Sequence, residues 1–164
     1  TNPASWIRVH DVHELLDRAL SVADDMPRHA FRYRDDFAVH HEHAMILAVL
    51  EARCGLSFST CEVYLNIAGG YRLSDPAADL AVAAALVSAL SEQTVPSTSV
   101  VFGEISLSGE IRPVSLAGLR LKEATKLGFE QALAPAATRE ERDGLRITGF
   151  SRLAGLVDFL LKRG

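Results

Sequence analysis

The chain has 164 residues, 48% of them hydrophobic and 23% charged, and a formal net charge of −4. That is enough for one globular domain with a real core, and the composition excludes a disordered or low-complexity protein. No apolar run reaches the ~18 residues of a membrane helix, no signal-peptide pattern opens the chain, and the negative balance argues against a free-standing nucleic-acid binder.

In chain order, DVHELLDRALSVADD (11–25) predicts an amphipathic helix, with Asp11 and Glu14 as a capping-box-like start and Met26-Pro27 as its stop. Residues 27–42 are polar and broken, and read as a loop or a short extended piece. HAMILAVLEARCG predicts a buried helix from about His43 to Cys54, stopped by Gly55. CEVYLNIAGG alternates, with Val63, Leu65 and Ile67 on one face, as a strand does. Asp75 can cap a helix and Pro76 fits its first turn, so a helix is expected from Pro76 to about Glu92.

STSVVFGEISLSGEIRPV then reads as two strands joined by a tight turn at Ser108-Gly109. LAGLRLKEATKLGF is a helix stopped by Gly128, QALAP a short buried strand, TREERDG a charged turn and LRITGF another strand. SRLAGLVDFLLKRG closes the chain as an amphipathic helix capped by Ser151. Helices and strands in this mixed order predict one α/β domain with a mixed sheet and packed helices.

The chemistry-bearing residues are sparse. Neither G-x-x-x-x-G-K-[ST] nor G-x-G-x-x-G is present, so no phosphate loop is expected. Cys54 and Cys61 are too few for a disulfide framework and read as reduced, partly buried thiols of a cytoplasmic protein. All six histidines, His10, His13, His29, His40, His41 and His43, lie in the first 43 residues. HDVH puts His10 and His13 on one helical face and HHEH could form a metal clip, but zinc catalysis needs three ligands with an open position, so surface histidine is the reading and no metal is assigned. Between Glu110 and Lys126 the balance turns positive: Arg112, Arg120, Lys122 and Lys126 stand against Glu110 and Glu123.

One pattern spans a longer range. Asp75-Pro76-Ala77-Ala78-Asp79 is followed 26 residues after Ala77 by the glycine of FGEISLSGEIRPV, and Arg120 arrives 43 residues after Ala77 at the start of a helix. This arrangement resembles the Lon protease fold, of the ribosomal S5 domain 2-like kind. There the serine of a D-G-P-S-A-G segment is the nucleophile and a lysine on the later helix is its base. The serine position falls on Ala77 and the lysine position on Arg120. An alanine methyl cannot attack a carbonyl, and an arginine with a pKa above ~12 cannot take a proton from serine at neutral pH. No peptidase activity is therefore expected at this site.

YLNIAGGYRLSDPAADLAVAAALVSAL, VVFGEISLSGEIRPV and RLKEATKLGF together resemble the C-terminal Lon-like domain of the RadA (Sms) family of bacterial DNA repair and recombination proteins, from about Ala44 to Ala136. Residues 1–43 depart from that pattern and are expected to be a divergent segment before a Lon-like domain over 44–164. The chain begins with Thr1, as a fragment or processed product does.

The resemblance implies the C-terminal part of a longer, cytoplasmic, hexameric ATPase acting in recombination and branch migration. ATP, magnesium and zinc would belong to preceding domains and none to this chain. The implied partners are other copies of itself, single-stranded or branched DNA and a recombinase of the RecA type, with no membrane. Arg112, Arg120, Lys122 and Lys126 are the DNA-contact candidates. Against that stands a solvated helix face with an Arg120–Glu123 pair, or an Arg120 that fills the old dyad cleft and binds Asp75 or Asp79. A residual hydrolase using Ser74 or Cys61, and a stand-alone interaction module docking through its N-terminal helix, are the other two expectations.

Overall fold

A computed structural model of the chain describes residues 6–8, 41–58, 62–64, 75–138 and 144–162. Strands β1 (Trp6–Arg8) and β2 (Glu62–Tyr64) pair in parallel. Between them helix α1 runs His41–Cys54, and Gly55 follows it at φ 68°. A 3-10 turn, Pro76–Ala78, leads into α2 (Asp79–Ser91). Then come β3 (Ser99–Val101), β4 (Glu104–Ile105), β5 (Ile111–Arg112), α3 (Ala117–Lys126), β6 (Gln131–Pro135), β7 (Arg146–Phe150) and α4 (Leu153–Leu161).

Strands β3, β6 and β7 form a parallel sheet in that order, while β4 and β5 make a separate antiparallel hairpin. Alternation along the strands gives the sheet two faces. Val101, Leu133 and Phe150 join a core made with α1, α2 and α4. Val100, Phe102, Ala132 and Ala134 join a second core, with Leu121 and Ala124 of α3. The described part is therefore layered helix–sheet–helix. α2 sits deepest: every residue from Leu80 to Val87 is buried, which its continuous run of alanine, leucine and valine permits.

The structure departs from the sequence reading in four places. The expected mixed sheet is not formed among the described residues: β3, β6 and β7 are all parallel, and the antiparallel pair β4–β5 stands apart because the chain leaves the sheet before the hairpin begins. The first predicted hairpin strand is split, because the chain leaves the parallel sheet at Phe102-Gly103 and enters the hairpin. Gly103 N donates to Ala77 O at 2.8 Å, and Leu80 N donates to Gly103 O at 3.0 Å. The last helix is not capped by Ser151. Residues 151–152 continue as extended chain beside the hairpin, where Ser151 O accepts Ile111 N at 3.0 Å, and Arg152 takes the cap position without a side-chain bond. A strand, β1, lies in the opening stretch where none was expected. The predicted helix over 11–25 lies outside the described residues, as do Leu65, Ile67 and most of TREERDG.

Among the described residues, Ser99 Oγ is the buried side-chain polar atom without a hydrogen-bond partner. An unpaired buried hydroxyl costs desolvation without a return bond. Ser99→Ala is expected to raise stability by about 1 kcal/mol, read from the urea midpoint at unchanged m.

Cys54 is half-buried in the last turn of α1. Burial and the nearby Asp158 carboxylate push its thiol up from the ordinary 9.0. The folded state thus holds this proton more tightly than the unfolded one. Its contribution to stability is complete below about pH 9 and is lost as pH rises through the raised value. Asp158→Asn is expected to speed alkylation of Cys54 at pH 8–9, followed by peptide mass spectrometry.

Candidate functional site

The sequence singles out the entrance of α2, and the structure builds it from two chain segments. Asp75 sits in extended conformation before the 3-10 turn, and its Oδ1 accepts Ala77 N at 3.0 Å. The aspartate thus caps the 3-10 turn that leads into α2, while α2 itself starts from Ala78 without a side-chain cap. Ala77, at the position where the resemblance puts a nucleophile, is 2% exposed. Its methyl belongs to the same core as Phe102 and Leu121, and its carbonyl is occupied by Gly103 N. Asp79, four residues after Asp75, accepts Ile105 N on Oδ2 at 3.2 Å and so ties the start of α2 to the hairpin.

Arg120 comes to this entrance from the first turns of α3. It is 8% exposed, and its guanidinium forms an ion pair with Asp75 through Nη2 and Oδ2. Arg120 Nε also donates to Ser115 O at 3.3 Å, in the loop that starts α3. One buried arginine therefore joins the cap of the 3-10 turn before α2 to the entry of α3 across 45 residues of sequence. The two positions that the resemblance assigns to a nucleophile and its base hold a methyl and a paired guanidinium, groups that can play neither part.

The structure separates Arg120 from the other three DNA-contact candidates. Arg112, Lys122 and Lys126 are exposed. Arg112 Nη1 lies 3.7 Å from Glu104 Oε1 across the hairpin, and Lys126 Nζ lies 2.5 Å from Glu123 Oε1. Exposed pairs of this kind are worth little and exchange readily. Lys122 makes no ion pair with another described residue. The Arg120–Glu123 alternative does not form, because Glu123 takes Lys126 and Arg120 takes Asp75.

Sequence reading did not find the part played by Ser115 O, since backbone acceptors carry no residue signature. Ser74 and Cys61 lie outside the described residues, as do His10, His13, His29 and His40; His41 and His43 fall in α1. Among the described residues no group of His, Cys, Asp and Glu could hold a metal ion, and no helix is long and apolar enough to cross a membrane.

Comparison with known proteins bears on the whole of this region. The family model described as subunit ChlI of Mg-chelatase matches residues 29–138. DNA repair protein RadA of Brucella abortus (strain 2308) is 56% identical over 116 residues, which is 70% of this chain and 25% of that protein. The RadA of Aquifex aeolicus (strain VF5) is 46% identical over 117 residues, 71% of this chain and 26% of that protein. The RadA of a Synechocystis strain is 47% identical over 103 residues, 62% of this chain and 20% of that protein. The chain thus spans about a quarter of the length of the curated relatives it matches.

Proposed function

This chain belongs to the family that the ChlI model describes and, within it, to the RadA branch of DNA repair proteins, and we propose that it is the non-catalytic, Lon-like scaffold of a RadA-type recombination ATPase. The observation that carries the non-catalytic part is the pair of residues at the α2 entrance: Ala77 is buried in the core and Arg120 is held by Asp75. The larger machine, a hexameric ring that uses ATP to drive branch migration, comes from the resemblance. In it ATP, magnesium and zinc are bound by segments beyond this chain, and a RecA-type recombinase is a partner. The domain's share is to support the ring and to help line the path of single-stranded or branched DNA. Of the solvent-facing cations, Arg112 and Lys126 serve the second task, repeated by symmetry around the ring. Arg120 is spent on Asp75.

Two measurements test the reading. A fluorogenic peptide assay is expected to show no turnover by the chain. Binding of a single-stranded oligonucleotide, followed by anisotropy across a salt series, is expected to weaken steeply with salt. Replacing Arg112 and Lys126 by glutamate should then lower the log–log salt slope by roughly 0.7 for each phosphate no longer neutralised. Turnover that disappears with Ser74→Ala would replace the scaffold reading by a hydrolase. Binding with an unchanged slope would move the DNA path elsewhere.

A further inference from the structure

We infer that copies of this chain join head to tail, with the β4–β5 hairpin tip of one copy seated on the solvent face of α3 of the next. The inference rests on the ring reading above and supplies its subunit contact.

Two apolar patches stand in solvent on different layers of the fold. Leu107, at the hairpin tip, is 74% exposed. Leu116 and Leu119, at the start of α3, are 67% and 45% exposed. The hairpin belongs to the core that contains α1, α2 and α4, through Ile105 and Ile111. α3 belongs to the core on the opposite face of the sheet, through Leu121 and Ala124. The tip leans on α1, where a Cβ placed on Gly109 would meet Arg53 Cγ at 3.3 Å. Two different patches on different layers suit a contact in which each subunit gives one and receives the other. Repeated with rotation, such a contact closes into a ring.

Leu116 adds an independent sign. It has φ 58° and ψ 26°, a left-handed conformation that disfavours residues with a Cβ, and it occupies the N-cap of α3 without any side-chain cap bond. An exposed leucine in the wrong conformation at an uncapped helix start breaks three local rules, and such breaks gather at functional surfaces.

Charge fixes the occupant as a second copy. Glu110 is exposed two residues past the Ser108 turn, and Lys122 is exposed one turn beyond Leu119. Neither makes an ion pair with another described residue. Leucine on leucine, with Glu110 opposite Lys122, pairs each patch with its complement on the same chain, and a rim charge pair of this kind fixes register. The assignment makes Lys122 a seam residue and leaves Arg112 and Lys126 to the DNA.

The test is light scattering on the whole chain across concentration. Wild type is expected to assemble, and Leu107→Glu and Leu119→Glu each to give the 17.8 kDa monomer with an unchanged far-UV spectrum. Mixed one to one, the two variants should stop at a dimer, because one intact tip meets one intact α3 face and the other contact stays broken. Glu110→Lys and Lys122→Glu should each weaken association about 10-fold, and the double exchange should restore it. If wild type assembles and Leu107→Glu and Leu119→Glu leave the mass unchanged, the seam is wrong while the ring reading stands. If the mixed variants rebuild the full assembly, the head-to-tail contact is wrong. A wild-type chain that stays monomeric at every concentration overturns both.

Discussion

Asp75→Ala is expected to lower the unfolding free energy by about 4 kcal/mol. The substitution does two things. It strips the carboxylate from Arg120, which is left 8% exposed with Ser115 O as its remaining bond. Removing one partner of a buried pair costs about 3–5 kcal/mol, because the other charge stays desolvated. Asp75 itself is 36% exposed on its side chain, which places the loss at the lower end of that range. It also deletes the cap on Ala77 N, worth about 1 kcal/mol in other proteins. Asp75→Asn separates the two, since the amide oxygen can still accept from Ala77 N while the charge is gone. The double variant Asp75→Asn with Arg120→Met should recover most of the loss, because it removes both charges. Urea unfolding of the four proteins measures all of this. An Asp75→Ala protein within about 0.5 kcal/mol of wild type would mean that the arginine finds water as readily as it finds the carboxylate.

Leu80→Ala should cost about 3–4 kcal/mol, the usual range for a leucine with no exposed surface. Its coupling to Gly103 is the more telling quantity. A Cβ on Gly103 would come within 3.1 Å of both Leu80 Cδ2 and Ile111 Cγ2, so Gly103→Ala alone should cost about 1–3 kcal/mol by overpacking. With Leu80 shortened, one of those two clashes disappears. The pair of substitutions should therefore be less damaging than the two losses added, by about 1 kcal/mol, in a double-mutant cycle from denaturant melts. Simple additivity would show that the hairpin shifts away from α2 independently of Leu80.

The elements most visible in the sequence were those whose ends carry local chemistry. Gly55 and Gly128 mark the stops of α1 and α3 at φ 68° and 83°, and the turn at Ser108-Gly109 has its glycine at φ 79°. Asp75 and Pro76 mark the start of the 3-10 turn that leads into α2 for the same reason. What could not be read locally is where a strand changes sheet. Val100 to Ile105 reads as one strand, with only Gly103 and Glu104 between its apolar residues. Only the tertiary bonds of Gly103 to Ala77 and Leu80 divide it. Ser151 looked like a cap because serine commonly is one, but hairpin pairing claimed its backbone first. At the site, a partnership of Arg120 with Asp75 or Asp79 could be framed from residue type and position. Choosing Asp75 required the fold, because nothing in a sequence ranks two aspartates four residues apart.

The burial of α2 on all sides carries a consequence for synthesis of the chain. α2 is complete at Ser91, but α4, which packs against it, ends only at Leu161. At the ordinary pace of roughly 5–20 residues per second, the ribosome takes several seconds to deliver that remaining stretch. Throughout that interval a helix of alanine, leucine and valine lacks the cover that α4 gives it. The nascent chain therefore passes through a sticky stage set by gene order rather than by final stability. Slow codons placed between α2 and β7 would lengthen that stage, and holdase chaperones that grip short apolar segments would find their site there.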